Sequence, residues 1–404
     1  MKVLVLAPQP FFIERGTPIA VKLLLRALEQ RSSEPVHLLT YAGGKAIELS
    51  KVIHSRAYAP PAYLTVGPGI SVRKLVNDFF FCIALIKLLW QERKNQFQLI
   101  HAVEEAVFFA YLAKLVLRIP YVYDMDSTMS EQLIEKWSVL KPMKSLFESL
   151  EKITIRNANA IVAVCDSLAE TAQEMGAQEV QILRDIPLTS TKQLERPISL
   201  RSELQLPPEA QIILYVGNLE SYQGIDLLLD SFKRIAPRFP DTYCVIVGGS
   251  DEHQHNYREK VESLGLQTHF IIAGRRPVDL LNHYLEQATI LASPRTKGTN
   301  TPMKIYSYLH SGVPVVATRL KTHTQVMSKE TALLADPYPE AYAEALATLL
   351  ENQSFALQLG EAAKRHARNN FTWEVFQRDL NALYDQLELG RQSTGGSSKL
   401  QTSS

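Results

Sequence analysis

The stretch Ser293–Thr318 reads SPRTKGTNTPMKIYSYLHSGVPVVAT, and its pattern decides the fold of the second half of the chain. A short apolar run ends at Ser293, a polar loop rich in Gly, Thr, Asn and Pro follows, and a helical pattern starts near Pro302. A Ser-Gly turn then leads into the β-branched run Val313–Val316. Strand, loop, helix and strand in this order predict a βα unit of a parallel sheet.

The loop of this unit opens onto the N-terminus of the predicted helix. Backbone N–H groups without helical partners and the positive end of the helix dipole are expected there. The same segment carries the cations Arg295, Lys297 and Lys304. This combination suits the binding of a diphosphate. The alternative is an ordinary surface loop with solvated lysines.

The chain has 404 residues, more than one hydrophobic core usually supports, so we expect two domains. Its hydrophobic and charged contents of 46% and 21% are those of a globular protein, and the net charge of +1 gives no signal for nucleic acid. Residues 45–94 nevertheless carry eight basic and three acidic side chains. Three widely spaced cysteines in apolar runs and a start without a signal-peptide pattern predict a reducing, cytoplasmic location.

Short apolar runs alternate with helical patterns along both halves, which predicts an α/β protein with two doubly wound Rossmann-like domains facing a central cleft. The last predicted helices are Glu340–Asn352 and Thr372–Leu387. The predicted boundaries are an N-terminal domain at 1–187, a linker at 188–208, a C-terminal domain at 209–370, a helix at 371–389 that returns to the first domain, and a disordered tail at 390–404.

Polar residues follow several predicted strands. Gly16 precedes a helix start in the first βα connection, where it favours an anion or sugar site or, alternatively, a plain helix cap. Asp124 and Asp126 end the fourth strand; they can accept bonds from substrate hydroxyls, or one of them caps the next helix. The loop from Asn218 to Gln223 is also expected to face the cleft, with a simple turn as the alternative.

In their order along the chain, these segments resemble glycosyltransferase family 4, which comprises retaining enzymes of the two-domain GT-B fold. The resemblance covers roughly residues 2–387. The matching segments are APQPFFIERGTP (7–18), LIHAVEE (99–105), YVYDMDS (121–127), IVAVCDSLAE (161–170), YVGNLESYQGIDLLL (215–229), VIVGGS (245–250), TPMKIYSYLHSGVPVVATR (301–319) and FTWEVFQRDLNALYDQL (371–387).

Several positions depart from the family pattern. The Glu-x7-Glu signature, whose second Glu holds the nucleotide ribose, falls on Thr299 and Ser307. The Arg and Lys that usually grip the diphosphate fall on Asn218 and Gln223, and the histidine of the fourth strand falls on Asp126. The chain therefore resembles a divergent branch of the family.

The resemblance implies a donor site in which the positive charge has been relocated. Lys304, Arg295 and the backbone N–H groups of Asn300 and Thr301 would hold the diphosphate, with Gly16 approaching from the other domain. Such fixed donors stabilise the charge that develops on the leaving group.

Asn218 and Gln223 would add neutral hydrogen bonds to the donor, and Thr299 and Ser307 occupy the positions of the two family carboxylates. Asp126 is the predicted catalytic residue and would contact the transferring sugar. The pattern Asp124-Met125-Asp126 has the spacing of a metal motif, but the resemblance argues against a metal cofactor there.

The leading hypothesis is transfer of a sugar from a nucleotide-diphosphate donor to a glycan, lipid-linked or small-molecule acceptor bound by the first domain. One alternative is a GT-B module that binds a ligand without catalysis, motivated by the missing carboxylates and cations. Another is a different GT-B enzyme, such as a sugar-nucleotide epimerase. The basic, partly apolar segment 45–94 also predicts peripheral contact with the inner membrane face, or else a helix packed on the first sheet with solvated lysines.

Overall fold

A computed structural model describes residues 1–10, 16–45, 47–64, 71–136, 138–187 and 199–396 of the chain. The chain divides into two compact units. The first contains Met1–Arg184 together with the segment from Phe376 onward, and the second is Asp185–Val375.

The described part of the first unit contains a seven-stranded parallel sheet in the order β3-β2-β1-β4-β5-β6-β7. Its strands read as continuous apolar runs because helices cover both faces of the sheet. The strands are β1 (Val3–Ala7), β2 (Val36–Thr40), β3 (Val52–Arg56), β4 (Leu99–Val103), β5 (Tyr121–Met125), β6 (Ala160–Ala163) and β7 (Val180–Ile182). The helices are α1 (Gly16–Arg31), α2 (Val72–Gln91), α3 (Ala106–Leu117), α4 (Met129–Lys136), α5 (Lys144–Asn157) and α6 (Asp166–Glu174).

The described part of the second unit repeats this plan with six parallel strands in the order β10-β9-β8-β11-β12-β13. The strands are β8 (Gln211–Gly217), β9 (Thr242–Gly248), β10 (Phe270–Gly274), β11 (Ile290–Ser293), β12 (Val315–Thr318) and β13 (Leu333–Ala335). The helices are α7 (Leu200–Glu203), α8 (Ile225–Ile235), α9 (Asp251–Ser263), α10 (Leu281–Leu285), α11 (Lys304–Ser311), α12 (Lys321–Thr324), α13 (Pro339–Glu351) and α14 (Gln353–Asn370), and α15 (Trp373–Gly396) continues from this unit into the first.

Strand order reverses between β1 and β4 in the first unit and between β8 and β11 in the second. In doubly wound sheets, the carboxyl ends of the strands at such a point form the usual ligand crevice. The loops that follow β8 and β11 start at this point in the second unit, so the fold brings two of the predicted donor-binding segments together.

Two expectations about the connections need correction. Residues 199–208 are not a free linker, because Leu200 is fully buried in the core of the second unit and its N–H donates to Gln287 Oε1 at 2.7 Å. The tail prediction was wrong for residues 390–396, since α15 continues to Gly396; a glycine inside a helix costs about 1 kcal/mol, and neither Gly390 nor Gly395 ends this helix. The remainder of the predicted linker (188–198) and of the tail (397–404) lies outside the described residues.

Candidate active site

The loops after β8 and β11 are joined by direct hydrogen bonds in the second unit. Thr296 N donates to the carbonyl oxygen of Tyr222 at 2.9 Å. On the other side of the second loop, Thr318 Oγ1 donates to the carbonyl oxygen of Arg295 at 2.5 Å. The two loops therefore form one continuous polar rim at the carboxyl edge of the sheet.

Lys304 is the first residue of α11, and its ammonium group lies at this rim. Its Nζ is 3.7 Å from the centre of the Tyr215 ring and 3.4 Å from Gln223 Oε1. Within the described residues, Lys304 forms no ion pair with a carboxylate. Burial lowers the pKa of Lys304 well below its usual value, and the nearby Arg295 charge lowers it further. This is a desolvated cation whose charged form an anion would stabilise.

Arg295 is buried and shapes its own loop. Its Nε donates to the Lys297 carbonyl oxygen at 2.7 Å, and its Nη2 donates to Asn300 Oδ1 at 3.0 Å. Gly298 has a φ of +107°, which glycine adopts without strain, and a Cβ atom there would lie 2.4 Å from Arg295 Nη2, so glycine at 298 lets the loop fold over the guanidinium without displacing it. Arg295 therefore contributes its charge near Lys304 while much of its hydrogen-bonding capacity is used within the loop. Lys297 is exposed.

The peptide groups of residues 299–301 have a fixed orientation. Gln325 Nε2 donates to the Thr299 carbonyl oxygen at 2.9 Å, and Thr322 Oγ1 donates to the Asn300 carbonyl oxygen at 2.6 Å. In a trans peptide the following N–H points opposite to the carbonyl. The N–H groups of Asn300 and Thr301 therefore point away from Gln325 and Thr322, and the Thr301 N–H also points away from Arg295 Nη1, which donates to the Asn300 carbonyl oxygen at 3.3 Å.

The first turn of α11 adds further donors. Among the described residues, no hydrogen bond is donated by the N–H groups of Met303 and Lys304, as expected at a helix N-terminus. Together with the Lys304 ammonium group, they form a small region of positive potential.

The positions of the two family carboxylates differ in environment. Thr299 is exposed, whereas Ser307 is only 2% exposed on the inner side of α11. Within the part of the chain that the structure describes, Ser307 Oγ has no hydrogen-bond partner. A buried hydroxyl without a partner is unusual, and it can serve a ligand hydroxyl as donor or acceptor.

Asn218 and Gln223 flank the β8 loop, where Asn218 contributes its carbonyl oxygen to Tyr215 Oη at 2.6 Å. The Tyr215 hydroxyl and ring thus link Asn218 to Lys304. The only sign of this link in the sequence is an aromatic residue in a predicted buried strand. Gln223 is 7% exposed, and its amide oxygen accepts from Lys304.

His323 lies in the short helix α12, beneath this rim. It is fully buried, with Nε2 2.8 Å from Ser293 Oγ and Nδ1 2.8 Å from the Thr318 carbonyl oxygen. A carbonyl only accepts, so Nδ1 carries the proton and Nε2 accepts from the serine. Burial lowers the pKa of His323 to about 3, which keeps the ring neutral and makes it a structural support beneath the rim.

In the first unit, the predicted site residues lie near the carboxyl ends of the strands. Asp124 is buried at the end of β5, and its Oδ2 lies 3.2 Å from His101 Nε2, whose Nδ1 is 2.9 Å from the Tyr384 hydroxyl of α15. Asp126 follows the strand and is half-buried. Gly16 begins α1, and residues 11–15 before it lie outside the described residues.

A group of polar residues beside Asp124 escaped the sequence prediction. Glu104 follows β4 with a φ of +50°, unusual for a residue other than glycine, and its N–H donates to the Asp124 carbonyl oxygen at 3.0 Å. Burial and the neighbouring Glu105 raise the pKa of Glu104 to about 7. Lys74 Nζ lies 2.5 Å from Glu105 Oε1. The only sequence signal was the pair of glutamates at the end of a predicted strand.

Comparison with known protein families gives two matches of adjacent regions. The model described as Glycosyltransferase Family 4 matches residues 15–183, and the model described as Glycosyl transferases group 1 matches residues 198–366. Together they include most of both units.

The chain is similar to the D-inositol 3-phosphate glycosyltransferase of Corynebacterium glutamicum (strain R), with 30% identity over 192 residues, which is 46% of each chain. The match thus spans about half the length of this curated relative. Among solved structures, sucrose-phosphate synthase from Thermosynechococcus elongatus is similar with a TM-score of 0.77 and 20% identity over 96% of this chain and all of that one. Anabaena HepE in complex with UDP is similar with a TM-score of 0.73 and 15% identity over the same shares. These similarities confirm the predicted fold of two parallel-sheet α/β domains.

Proposed function

The chain belongs to glycosyltransferase family 4, and on that premise we propose that it transfers a sugar from a nucleotide-diphosphate donor to an acceptor hydroxyl with retention of configuration. The observation that carries this proposal is the desolvated Lys304 ammonium group, which forms no ion pair among the described residues and lies at the N-terminus of α11. A diphosphate supplies the missing negative charge. A structure of the similar HepE contains UDP-glucose, which supports the class of donor.

In the proposed reaction, the bond between the anomeric carbon and the diphosphate oxygen breaks while a bond from the acceptor oxygen forms on the same face of the sugar. The acceptor proton passes to the departing diphosphate, so no protein nucleophile is needed. Negative charge grows on the leaving group, where Lys304 and the N–H groups of Asn300 and Thr301 stabilise it. Arg295 adds its charge through the loop.

The other predicted site residues have supporting roles in the proposal. Asn218 and Gln223 hydrogen-bond the donor, Ser307 Oγ binds its ribose, and Thr299 lies at the rim. Gly16 provides a place for close backbone approach. Asp126 is proposed as the catalytic residue that contacts the transferring sugar and accommodates positive charge on its ring.

No metal ion takes part in the proposed mechanism, since the leaving group is stabilised by Lys304 and backbone N–H groups. The acceptor is a glycan, a lipid-linked molecule or a small molecule. The relative named above acts on an inositol phosphate according to its name, which favours a polyhydroxylated acceptor.

The proposal is tested by a thermal-shift screen against nucleotide-sugar donors, because a ligand that binds the native state raises its melting temperature. Transfer assays with the donors that bind then follow, comparing the wild type with Asp126→Asn. We expect the variant to keep donor affinity and to lose turnover. Product formed without an acceptor would favour the epimerase, and a stable protein that neither binds nor turns over any donor would favour the non-catalytic module.

The proposed location is the cytoplasm, at the inner face of a membrane, with peripheral contact through the basic segment 45–94. Among the described residues, no helix combines the length and apolarity that crossing a bilayer demands.

A further inference from the structure

The outward surface of α2 is as apolar as its inward surface. Phe81, Leu85 and Leu88 face the core and are buried. The opposite stripe recurs every three or four residues, with each side chain 48–68% exposed. Its members are Val72, Leu75, Phe79, Ile83, Ile86 and Trp90. A helix that is apolar on both sides is normally covered on both sides.

Two neighbouring helices extend this surface. The Phe81 ring of α2 lies 5.8 Å from the Phe109 ring of α3, and Lys114 Nζ of α3 donates to the Asn157 carbonyl oxygen at the end of α5 at 2.5 Å. All three helices pack on the same side of the first sheet. The outward residues of α3 and α5 are also large, apolar and exposed. They are Leu112, Leu115, Val116, Leu117, Leu146, Leu150 and Ile153. We call the outward apolar residues of α2, α3 and α5 the three-helix face.

Most of the large exposed hydrophobic side chains among the described residues lie on this face; elsewhere in the first unit they are Ile53, Tyr58, Leu64, Met143 and Leu389. In the described residues of the second unit, Tyr338 and Leu357 are the large exposed hydrophobic side chains. Contiguous apolar patches on a soluble protein mark surfaces that bind a partner or a membrane. The asymmetry between the units therefore points to a covering partner on the first unit.

The charges around the three-helix face indicate what that partner is. The carboxylates on these helices have internal partners: Asp78 accepts from the Tyr41 hydroxyl, and Glu148 pairs with Lys144 at 3.4 Å. Glu151 accepts from the backbone N–H of Met129 at 2.9 Å.

Cations on these helices, or in the residues directly after them, remain uncompensated. The exposed side chains of Arg73, Lys87, Lys94 and Arg118 form no ion pair within the described residues. The Arg93 guanidinium lies 4.3 Å from the centre of the exposed Trp90 ring at the end of α2. The rim of the three-helix face is therefore positive, and an aromatic residue of the type that favours a membrane interface is located at one end.

We propose that the three-helix face docks on the surface of a lipid bilayer that contains anionic headgroups. Its apolar side chains enter the boundary between headgroups and acyl chains, and the long cationic side chains extend to the phosphates. A second copy of the chain is the less favourable occupant, because a self-complementary contact would bring the same uncompensated cations together. The inference rests on the membrane contact in the proposed function and names its surface, but it does not depend on sugar transfer.

The test measures flotation of the full chain with vesicles of phosphatidylcholine alone or with about one-third phosphatidylglycerol, at low and high salt. We expect binding to the anionic vesicles and its weakening by salt. Ile83→Ser combined with Ile86→Ser should lower the partition coefficient at least tenfold, since both side chains leave water on docking. Lys87→Glu should lower the partition coefficient by roughly fivefold for each unit of charge changed. This decrease should occur with anionic vesicles and not with phosphatidylcholine alone.

Matched controls come from the second unit. Tyr338→Ser with Leu357→Ser removes equally exposed apolar side chains, and Lys329→Glu reverses an exposed charge; neither should change vesicle binding by more than twofold. Absence of wild-type binding at low salt, or equal loss in the control variants, would overturn the inference. So would a dimer in light scattering that Ile83→Ser with Ile86→Ser converts to a monomer, because the face would then be a self-association surface. Donor turnover measured on the same samples separates this outcome from failure of the proposed reaction.

Discussion

A Cβ atom on Gly224 would lie 2.0 Å from the carbonyl oxygen of Pro294. The loop after β8 and the loop after β11 can therefore approach each other only because residue 224 is glycine. Its φ of +75° is also in the left-handed region that glycine adopts without strain. The proposed donor site depends on this contact, since it sets the position of Gln223 relative to Lys304.

We expect Gly224→Ala to destabilise the second unit and to weaken donor binding at least tenfold. The matched control is Gly265→Ala, at a φ of +69° with nothing within 4 Å of the added Cβ. The control isolates the left-handed backbone strain, about 1–2 kcal/mol. Denaturant unfolding gives the loss of unfolding free energy in each variant. The difference between the two losses is the cost of the steric clash at residue 224. Equal losses in the two variants, with donor affinity intact, would show that the loop contact has no role in the site.

Lys304→Met should stabilise the ligand-free protein and weaken its binding of a nucleoside diphosphate. Burial opposes the charge on Lys304, so an isosteric neutral side chain removes an unfavourable term; each kcal/mol gained raises the melting temperature by roughly 2–4 °C. Affinity for a nucleoside diphosphate should fall at least about tenfold with the loss of a charged hydrogen bond. Thermal melts measure the change in melting temperature, and calorimetry measures the affinity for the nucleoside diphosphate. Lys297→Met, at an exposed position of the same loop, should change neither; unchanged donor affinity in Lys304→Met would remove the basis of the proposed site.

Donor affinity should decrease as the pH rises. The pKa of Lys304 is depressed in the free protein, and a bound diphosphate raises it, so binding takes up a proton when the pH lies between these two values. Calorimetry in buffers of different ionisation enthalpy measures this uptake. Lys304→Arg keeps its charge at all these pH values, so its affinity should lose the pH dependence. Identical pH profiles for the wild type and Lys304→Arg would contradict the assignment.

Ser307→Ala should leave the fold intact and reduce donor affinity. The Ser307 hydroxyl has no partner among the described residues, so its removal should stabilise the free protein by about 1 kcal/mol. If the hydroxyl binds the donor ribose, affinity should fall roughly two- to tenfold. Ser311→Ala in the same helix is the contrast, because Ser311 Oγ donates to the Tyr308 carbonyl oxygen at 2.7 Å and its loss should destabilise. Full donor affinity in Ser307→Ala would eliminate the ribose contact.

Acid should destabilise the second unit through His323. Its pKa is about 3 when folded and near 6.5 when unfolded, so the unfolded chain binds a proton that the folded chain does not between these values. Above pH 6.5 the titration of His323 does not change the free energy of unfolding. Below pH 6.5 it lowers the free energy of unfolding by about 1.4 kcal/mol per pH unit. Denaturant unfolding from pH 7 to 4 measures the slope.

His323→Gln should reduce the dependence of the unfolding free energy on pH. The variant should also be less stable than the wild type at pH 7, because the hydrogen bonds to Ser293 and Thr318 are altered. His255→Gln is the control, since that side chain is 70% exposed and its removal should leave the slope unchanged. A slope that persists in His323→Gln would assign the acid sensitivity to another group.

Much of the fold could be predicted from the sequence because parallel strands buried on both faces give continuous apolar runs. The residues of the edge strand β3, VIHSR, form no such run, so the pattern does not predict this strand. Helix α14 was missed as well. It follows α13 after Asn352, whose side chain accepts from Phe355 N, and no glycine or proline separates the two helices.

The site was predicted less completely, for reasons that particular residues illustrate. The sequence placed Arg295, Asn300 and Lys304 in one loop, but it could not reveal that the guanidinium bonds to its own loop, because that depends on the fold-back at Gly298. His323 lies in the polar segment KTHT, which is typical of a surface, yet the short helix α12 turns it inward beneath β11 and β12. Long-range packing decides both cases.

The proposed docking of the three-helix face has a practical consequence for the purification of this protein. Overproduced protein would sediment with the membranes of a lysed cell. Its low level in the soluble fraction would then resemble aggregation. Gentle extraction with detergent or salt, rather than denaturation and refolding, is then the appropriate route to active material.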